Sequence, residues 1–317
     1  MSSDVSTVSP LLRKLATATC LVALLPIGMG ALVTTLKAGM AFADWPSSDG
    51  HNMLLYPWFR DFATNTDKFV EHGHRLAGML IGCLSLVLTF VGLRSTQKWI
   101  RVFVVVILLS VIGQGLLGGA RVLMNAQVLA MTHSLTGALF FTLCVIFRLL
   151  LSQNRNLQNT EQNLGLAGAA VTAILPVAVL AQYAIGGVLR HLHNLNSEHI
   201  AGAIVVSVLS VVAVSNLLFA NLKSLRFAGL SVMICLLFQV CLGMGSWVLR
   251  FGWADMGYVA TAGSLPQAVI CSLHTVVGMF LFASAAVASL LVVQLHCRGQ
   301  LACTSLSGFS TQVGGAT

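Results

Sequence analysis

Long apolar runs separated by short polar breaks organise the whole chain. Eight runs stand out: 15–36, 69–93, 102–120, 128–151, 164–189, 199–219, 227–248 and 268–295. Each is near or above the roughly 20 residues that a helix needs to cross about 30 Å of hydrocarbon. The runs are continuous rather than alternating, and far longer than the roughly 10-residue strands of a membrane barrel. The pattern therefore predicts an all-α polytopic membrane protein with eight transmembrane helices. The most polar break after the first outer loop is 152–163, SQNRNLQNTEQN, which separates four spans from four. The expected organisation is a tail at 1–14, a four-helix bundle at 15–151 with an outer loop at 37–68, a linker at 152–163, a second and similar four-helix bundle at 164–296, and a tail at 297–317.

Composition agrees with this reading. Of 317 residues 57% are hydrophobic and 8% charged, and the mean hydropathy is +0.89. Soluble domains carry about 25% charged residues, so a soluble enzyme, a disordered chain and a conventional nucleic-acid binder are excluded. The formal charge of +8 resembles a nucleic-acid signal until it is placed. With eight spans both termini share one side. That side holds Arg13, Lys14, Arg94, Lys98, Arg101, Arg148, Arg155, Lys223, Arg226 and Arg298 against Asp4 and Glu161, for a net +8. The other side holds seven basic and seven acidic residues and nets zero. The bias predicts an N-in, C-in topology, with the excess positive charge facing anionic lipid.

Arg13 and Lys14 before an apolar run, and the small-x-small triplet Ala41-Phe42-Ala43, have the form of a signal peptide. The run is too long for a signal core and Lys37 interrupts the approach, so the first run is expected to stay as a span. The absence of an Arg- and Ser-rich leader favours a bacterial cytoplasmic membrane. Eight cysteines form no CxxC. Cys20, Cys83, Cys144, Cys235, Cys241 and Cys271 fall within spans and Cys297 and Cys303 in the tail, so they read as small apolar packing residues rather than disulfides.

The odd-numbered spans end alike, in a small-residue patch and then a cation: Gly30 then Lys37, Gly118-Gly119 then Arg121, Gly186-Gly187 then Arg190, Gly245 then Arg250. Close helix packing and snorkelling account for most of this. The even-numbered spans carry a histidine at or near their outer ends: His74, His133, His199 and His274. An ionisable group inside a span is costly and marks function by default. Imidazole suits iron, zinc and copper, and two histidines from two helices of one bundle can clamp a haem iron axially. The natural pairs are His74 with His133 and His199 with His274. Zinc or copper would want further ligands, and no carboxylate or thiolate cluster accompanies the pairs.

The second span opens Phe69-Val-Glu-His-Gly-His-Arg-Leu-Ala-Gly78. Helical spacing puts Glu71, His74, Arg75, Gly78 and Gly82 on one stripe, with His72 pointing elsewhere. Glycines on that stripe would let a planar macrocycle approach the backbone. Glu71 then lies about one turn from a metal ligand, a position for proton transfer or for stabilising a developing cation. The alternative role is a salt bridge to Arg75. The outer loop 37–68, with Asp44-Trp45-Pro46 and Tyr56-Pro57-Trp58, is long and punctuated by Pro and Gly, as a lid over the bundle would be. His51, His191 and His193 read as solvated loop residues.

Across residues 15–296 these features resemble the haem A synthase family. The specific part is the Asp-Trp-Pro loop (Asp44–Pro46) with the Glu-x-x-His-Arg start of the second span (Glu71, His74, Arg75); the histidines of spans four, six and eight match by position. The resemblance implies oxidation of the C8 methyl of haem O to the formyl of haem A, with oxygen from water, through a cation and a gem-diol. It implies a substrate haem between His74 and His133, a prosthetic haem B between His199 and His274, and Glu71 as the essential glutamate. It implies an inner (cytoplasmic) membrane protein with its active site facing outward, working beside haem O synthase or cytochrome oxidase assembly factors, with oligomers conceivable and no nucleic-acid partner. The outer loop lacks the cysteine pair of many bacterial members, and Ile200 follows His199 where the family often has Arg. A diheme electron-transfer cytochrome, needing neither Glu71 nor the lid, and a proton- or metal-relaying transporter are the competing classes.

Overall fold

The computed structural model describes residues 8–152 and 165–313, with side chains as far as 297. Among the described residues the elements are α1 Pro10–Thr35, α2 Trp58–Thr64, α3 Thr66–Gly92, α4 Lys98–Leu123, α5 Gln127–Ser152, α6 Leu166–Leu192, α7 Asn196–Leu218, α8 Lys223–Phe251 and α9 Leu265–Val313. All but the short α2 are long and apolar enough to cross a membrane, which makes eight. Beyond the helices there are two isolated bridges, Ser48 with His51 and Trp253 with Tyr258. Residues 153–163 of the expected linker lie outside the described residues, as do Asp4, Arg155, Glu161 and the side chains of Arg298 and Cys303.

Local signals set the helix ends. Pro10 at the first position of α1 lacks the amide that would go unbonded there. Asn65 caps α3, its side chain accepting from the Lys68 amide at 3.1 Å. Helix α8 stops at Gly252, whose φ of +80° only glycine adopts readily. Most helices extend a few residues past the apolar runs because polar residues such as Lys98 and Lys223 begin them; α9 continues well beyond 295. His191, expected in a loop, lies in the last turn of α6. The first spans of the two halves each contain a proline, Pro26 and Pro176, and both helices run through them unbroken.

The hydroxyls of Ser85, Thr142, Ser210 and Ser246 are buried in the spans without a hydrogen-bond partner, but several others are satisfied locally. Thr19, Thr35, Thr89, Thr172 and Ser207 each donate to the carbonyl four residues earlier, the available partner where water is absent.

Two clusters of buried apolar residues form the core. One gathers Ile81, Leu88, Ile100, Ile107, Phe141 and Phe147; the other Leu175, Val206, Leu217, Leu225, Val232 and Leu291. Both lie in the half of the helices away from the span histidines. Large apolar side chains such as Leu21, Leu86, Leu109, Val208 and Phe238 point outward, as a lipid-facing surface requires. In the first half α1 packs on α3, α3 on α4, α4 on α5 and α5 back on α1. In the second half α6 packs on α7, α7 on α8, α8 on α9 and α9 back on α6. The halves touch through α1 with α9, α5 with α9 and α5 with α6.

Arg190 fastens that junction. It donates to the Ala31 carbonyl and the Thr35 hydroxyl, both at 2.6 Å, and to the Thr275 hydroxyl. Thr35 and Ser272 are 3.0 Å apart, as are Ser134 and the Tyr183 hydroxyl.

Helices α7 and α8 cross so closely that a Cβ on Gly229 would meet Leu217 Cβ at 2.8 Å. Neither atom can swing away. Gly229→Ala is expected to destabilise the chain by about 1–3 kcal/mol, measured by unfolding in detergent micelles.

Candidate functional site

Each span histidine rests its ring on a glycine of the preceding helix. A Cβ on Gly30 would lie 2.9 Å from Cε1 of His74. The same atom of His133 would lie 3.4 Å from a Cβ on Gly118, that of His199 2.9 Å from one on Gly186, and that of His274 3.0 Å from one on Gly243. The small residues before the outer cations thus seat the imidazoles. On α8 the seat is Gly243, not Gly245, which instead faces Ile270. The cations are not snorkelling throughout: Arg121 bonds the Gly39 carbonyl at 2.6 Å and Arg190 bonds α1 and α9.

The rings face each other in the expected pairs. His74 and His133 have ring centres 6.1 Å apart and planes at 84°; His199 and His274 are 6.4 Å apart at 86°. A first-row metal midway between two nitrogens at about 2.0–2.1 Å, with each ring centre about 1 Å behind its nitrogen, sets the centres about 6 Å apart. Both pairs match that spacing. Nδ1 of His133 and of His274 is buried without a hydrogen-bond partner. Beside His74, Cβ atoms on Gly78 or Gly82 would meet nothing within 4 Å, so the backbone there is open to a flat ligand. Among the described residues no group of three or more His, Cys, Asp or Glu side chains is placed to hold a metal ion. The donor set fits a metal that brings its own equatorial ligands, as haem iron does.

Four residues before each seat glycine stands Pro26, Gln114, Gln182 or Gln239. The Pro26 carbonyl is 2.9 Å from Nδ1 of His74. Gln114 donates to Thr136 at 2.6 Å. The Gln182 amide nitrogen lies 3.1 Å from Nδ1 of His199, and that of Gln239 lies 3.5 Å from Nε2 of His274. Reading the sequence alone missed these glutamines, although the Gln/Pro-x-x-x-Gly spacing recurs on all four odd spans.

Glu71 is buried at 2% exposure and makes the Arg75 salt bridge at 2.7 Å. It does more: its other oxygen accepts from the Ala41 amide at 2.7 Å and the Phe42 amide at 3.3 Å. Arg75 donates to the carbonyls of Asp44 and Ser47 at 2.9 and 2.6 Å. His72, which had no assigned role, is buried and pairs through Nδ1 with the Ser48 hydroxyl at 3.1 Å. Its ring lies 4.8 Å from that of Tyr56. Trp45 fills the space over Gly119. Residues 38–48 therefore lie across the outer ends of α3 and α4, pinned by Glu71, His72, Arg75 and Arg121. His51 bonds its neighbour's carbonyl (Asp49 O) and His193 bonds Arg250; neither joins a histidine pair.

The turn at 44–50 carries its own charge chemistry. Burial raises the Asp44 carboxyl, but hydrogen bonds from Gly50, Ser47 and Asp49 outweigh it and lower its pKa to about 2.

An all-helical membrane protein with two facing histidine pairs near one end of its spans is the class this fold and site define. The family model described as cytochrome oxidase assembly protein matches residues 56–199, a stretch holding Glu71, His74, His133 and His199. The heme A synthase of Cereibacter sphaeroides strain ATCC 17029 is 31% identical over 120 residues, covering 33% of this chain and 30% of the relative. That of strain ATCC 17025 is 30% identical over 130 residues, covering 37% and 33%. The chain thus spans about a third of the length of the curated relatives it matches. Over these stretches the chain is similar to the cytochrome oxidase assembly protein family and to these heme A synthases.

Two outcomes test the outer segment. Arg75→Ala leaves a buried carboxylate unpaired, at a cost of about 3–5 kcal/mol, so proteolytic cleavage between 38 and 65 should accelerate while α9 stays resistant. A depressed carboxyl contributes stability above its unfolded value of about 3.9 and loses it as pH falls toward 2. Hydrogen-exchange protection of residues 44–50 should hold from pH 8 to 5 and fall below about pH 4.

Proposed function

We propose that the chain is a haem A synthase: it oxidises the C8 methyl of haem O to the formyl group of haem A, with oxygen from water and with the four electrons and four protons released passing to a separate electron acceptor and to water. The bundle at 15–151 holds the substrate between His74 and His133. The bundle at 164–296 holds a prosthetic haem B between His199 and His274, and that group supplies one-electron transfer. The protein lies in the bacterial inner membrane, N-in and C-in, with the site facing outward.

One observation carries the division of labour. Of the four span histidines only His74 has a carboxylate three residues before it; the corresponding positions hold Ala130, Asn196 and Cys271. A buried anion beside one pair stabilises positive charge developing on a substrate there, and it can take up a proton. Glu71 is that anion. Arg75 and the amides of residues 41 and 42 hold its carboxylate in place. The pinned segment 38–48 limits water at the outer mouth. The second pair lacks such a group, which suits a site that passes electrons.

The near-equal ring separations also suit a diheme cytochrome without substrate chemistry. Expression beside a source of haem O, followed by haem extraction, separates the readings. Haem A should form. Glu71→Ala should retain bound haem and lose haem A formation by 100-fold or more, in line with removal of a transition-state charge partner. Haem B alone, with no conversion, favours the cytochrome, and a Glu71→Ala variant with normal haem A output overturns the catalytic assignment.

A further inference from the structure

The short helix α2 carries an apolar face that stays exposed among the described residues. At 100° per residue Trp58, Phe59, Phe62 and Ala63 fall on one arc, and Arg60, Asp61 and Thr64 on the other. Phe59 is 80% exposed and Phe62 69%. Leu54 and Leu55, just before the helix, are exposed too. A contiguous apolar patch of this kind marks a contact surface.

Its place in the fold identifies the partner. The rings of Phe62 and Phe69 meet edge to face with centres 5.2 Å apart. The Trp58 ring stacks on Phe69 at 4.9 Å, and its N–H donates to the Phe69 carbonyl at 2.7 Å. Phe69 opens the apolar run of α3. Leu80 and Val87 follow it eleven and eighteen residues on, which is the same side of the helix, and both are exposed on the lipid-facing surface. The apolar arc of α2 therefore continues the lipid-facing stripe of α3, at the level where that span enters the bilayer. The polar arc holds one cation and one anion, so the attraction is apolar rather than one of net charge.

Independently of the haem reading, we propose that α2 is an interfacial helix. Phe59 and Phe62 insert into the acyl boundary of the leaflet on the histidine side, and Arg60, Asp61 and Thr64 face water. This seat steadies the segment above Glu71. The Tyr56 hydroxyl donates to Asp61 at 2.7 Å, and the Tyr56 ring lies 4.8 Å from His72 and 5.1 Å from Phe42. The Phe42 amide in turn donates to Glu71.

The test uses the full chain in phosphatidylcholine vesicles, with photoreactive benzoylphenylalanine at position 59, 60, 62 or 64 in turn and helix content as the folding control. Phospholipid adducts at 59 and 62 should exceed those at 60 and 64 about tenfold. Their yield should not change when phosphatidylglycerol is added to the vesicles. Equal yields at all four positions, no adducts, chain-to-chain crosslinks in place of lipid adducts, or adducts that require the anionic lipid overturn the proposal. A second measurement needs no photoreactive residue. Phe59→Glu should accelerate proteolytic cleavage between 38 and 65 about tenfold in vesicles. A helix standing in water would tolerate that exposed substitution, so an unchanged cleavage rate also overturns the proposal.

Discussion

A histidine ring inside an apolar bundle must be held flat and close, because it brings nitrogen atoms into a place without water. Here the holding surface is a glycine on the helix before it. At Gly30, Gly186 and Gly243 a single methyl group would collide with or crowd the ring, and at Gly118 it would just touch it. That constraint sets helix spacing at the outer end, fixes the distance between paired rings, and leaves the conventional apolar core to the inner half of each bundle. The structure is therefore divided along its length, with packing below and chemistry above.

The two pairs share this seat and differ in everything around it. The first lies beneath a segment pinned by Glu71, His72, Arg75 and Arg121, with a buried carboxylate one turn away. The second lies among glutamine amides and has no carboxylate at the matching positions. They are also joined. Tyr183 follows Gln182 in α6 and reaches Ser134, the residue after His133. Arg190 ties the residue after Gly30 to the residue after His274. The half-chains meet through groups adjacent to both sites.

The eight spans were legible in the sequence because their apolar runs are uninterrupted. The choice of His74 over His72 followed from helical spacing alone, and the structure places the two accordingly: one against its partner histidine, the other under the outer loop. The role of His72 was not legible, since its partner Ser48 lies 24 residues away in a loop without a periodic pattern. The glycine seats were half legible. A small patch before each outer cation was plain, but on α8 the nearer Gly245 drew the eye from Gly243. The cations fall three, four or seven residues past the true seats, all positions on one helix face, and only the assembled helices reveal which interval applies. The glutamines were hidden for another reason: one polar residue per span is ordinary, and Pro26 breaks the repeat in the first.

The central claim is that the paired rings are axial ligands to haem iron, and ring orientation offers the most direct test. Imidazole planes at 84° and 86° imply a distinctive electronic structure for a ferric iron between them. Low-temperature electron paramagnetic resonance of the purified, haem-loaded chain should show highly anisotropic low-spin signals with one very large g value, as perpendicular axial imidazoles give, and His74→Ala and His199→Ala should each remove one of two such signals. A rhombic signal typical of parallel rings, or a high-spin signal alone, would contradict the account.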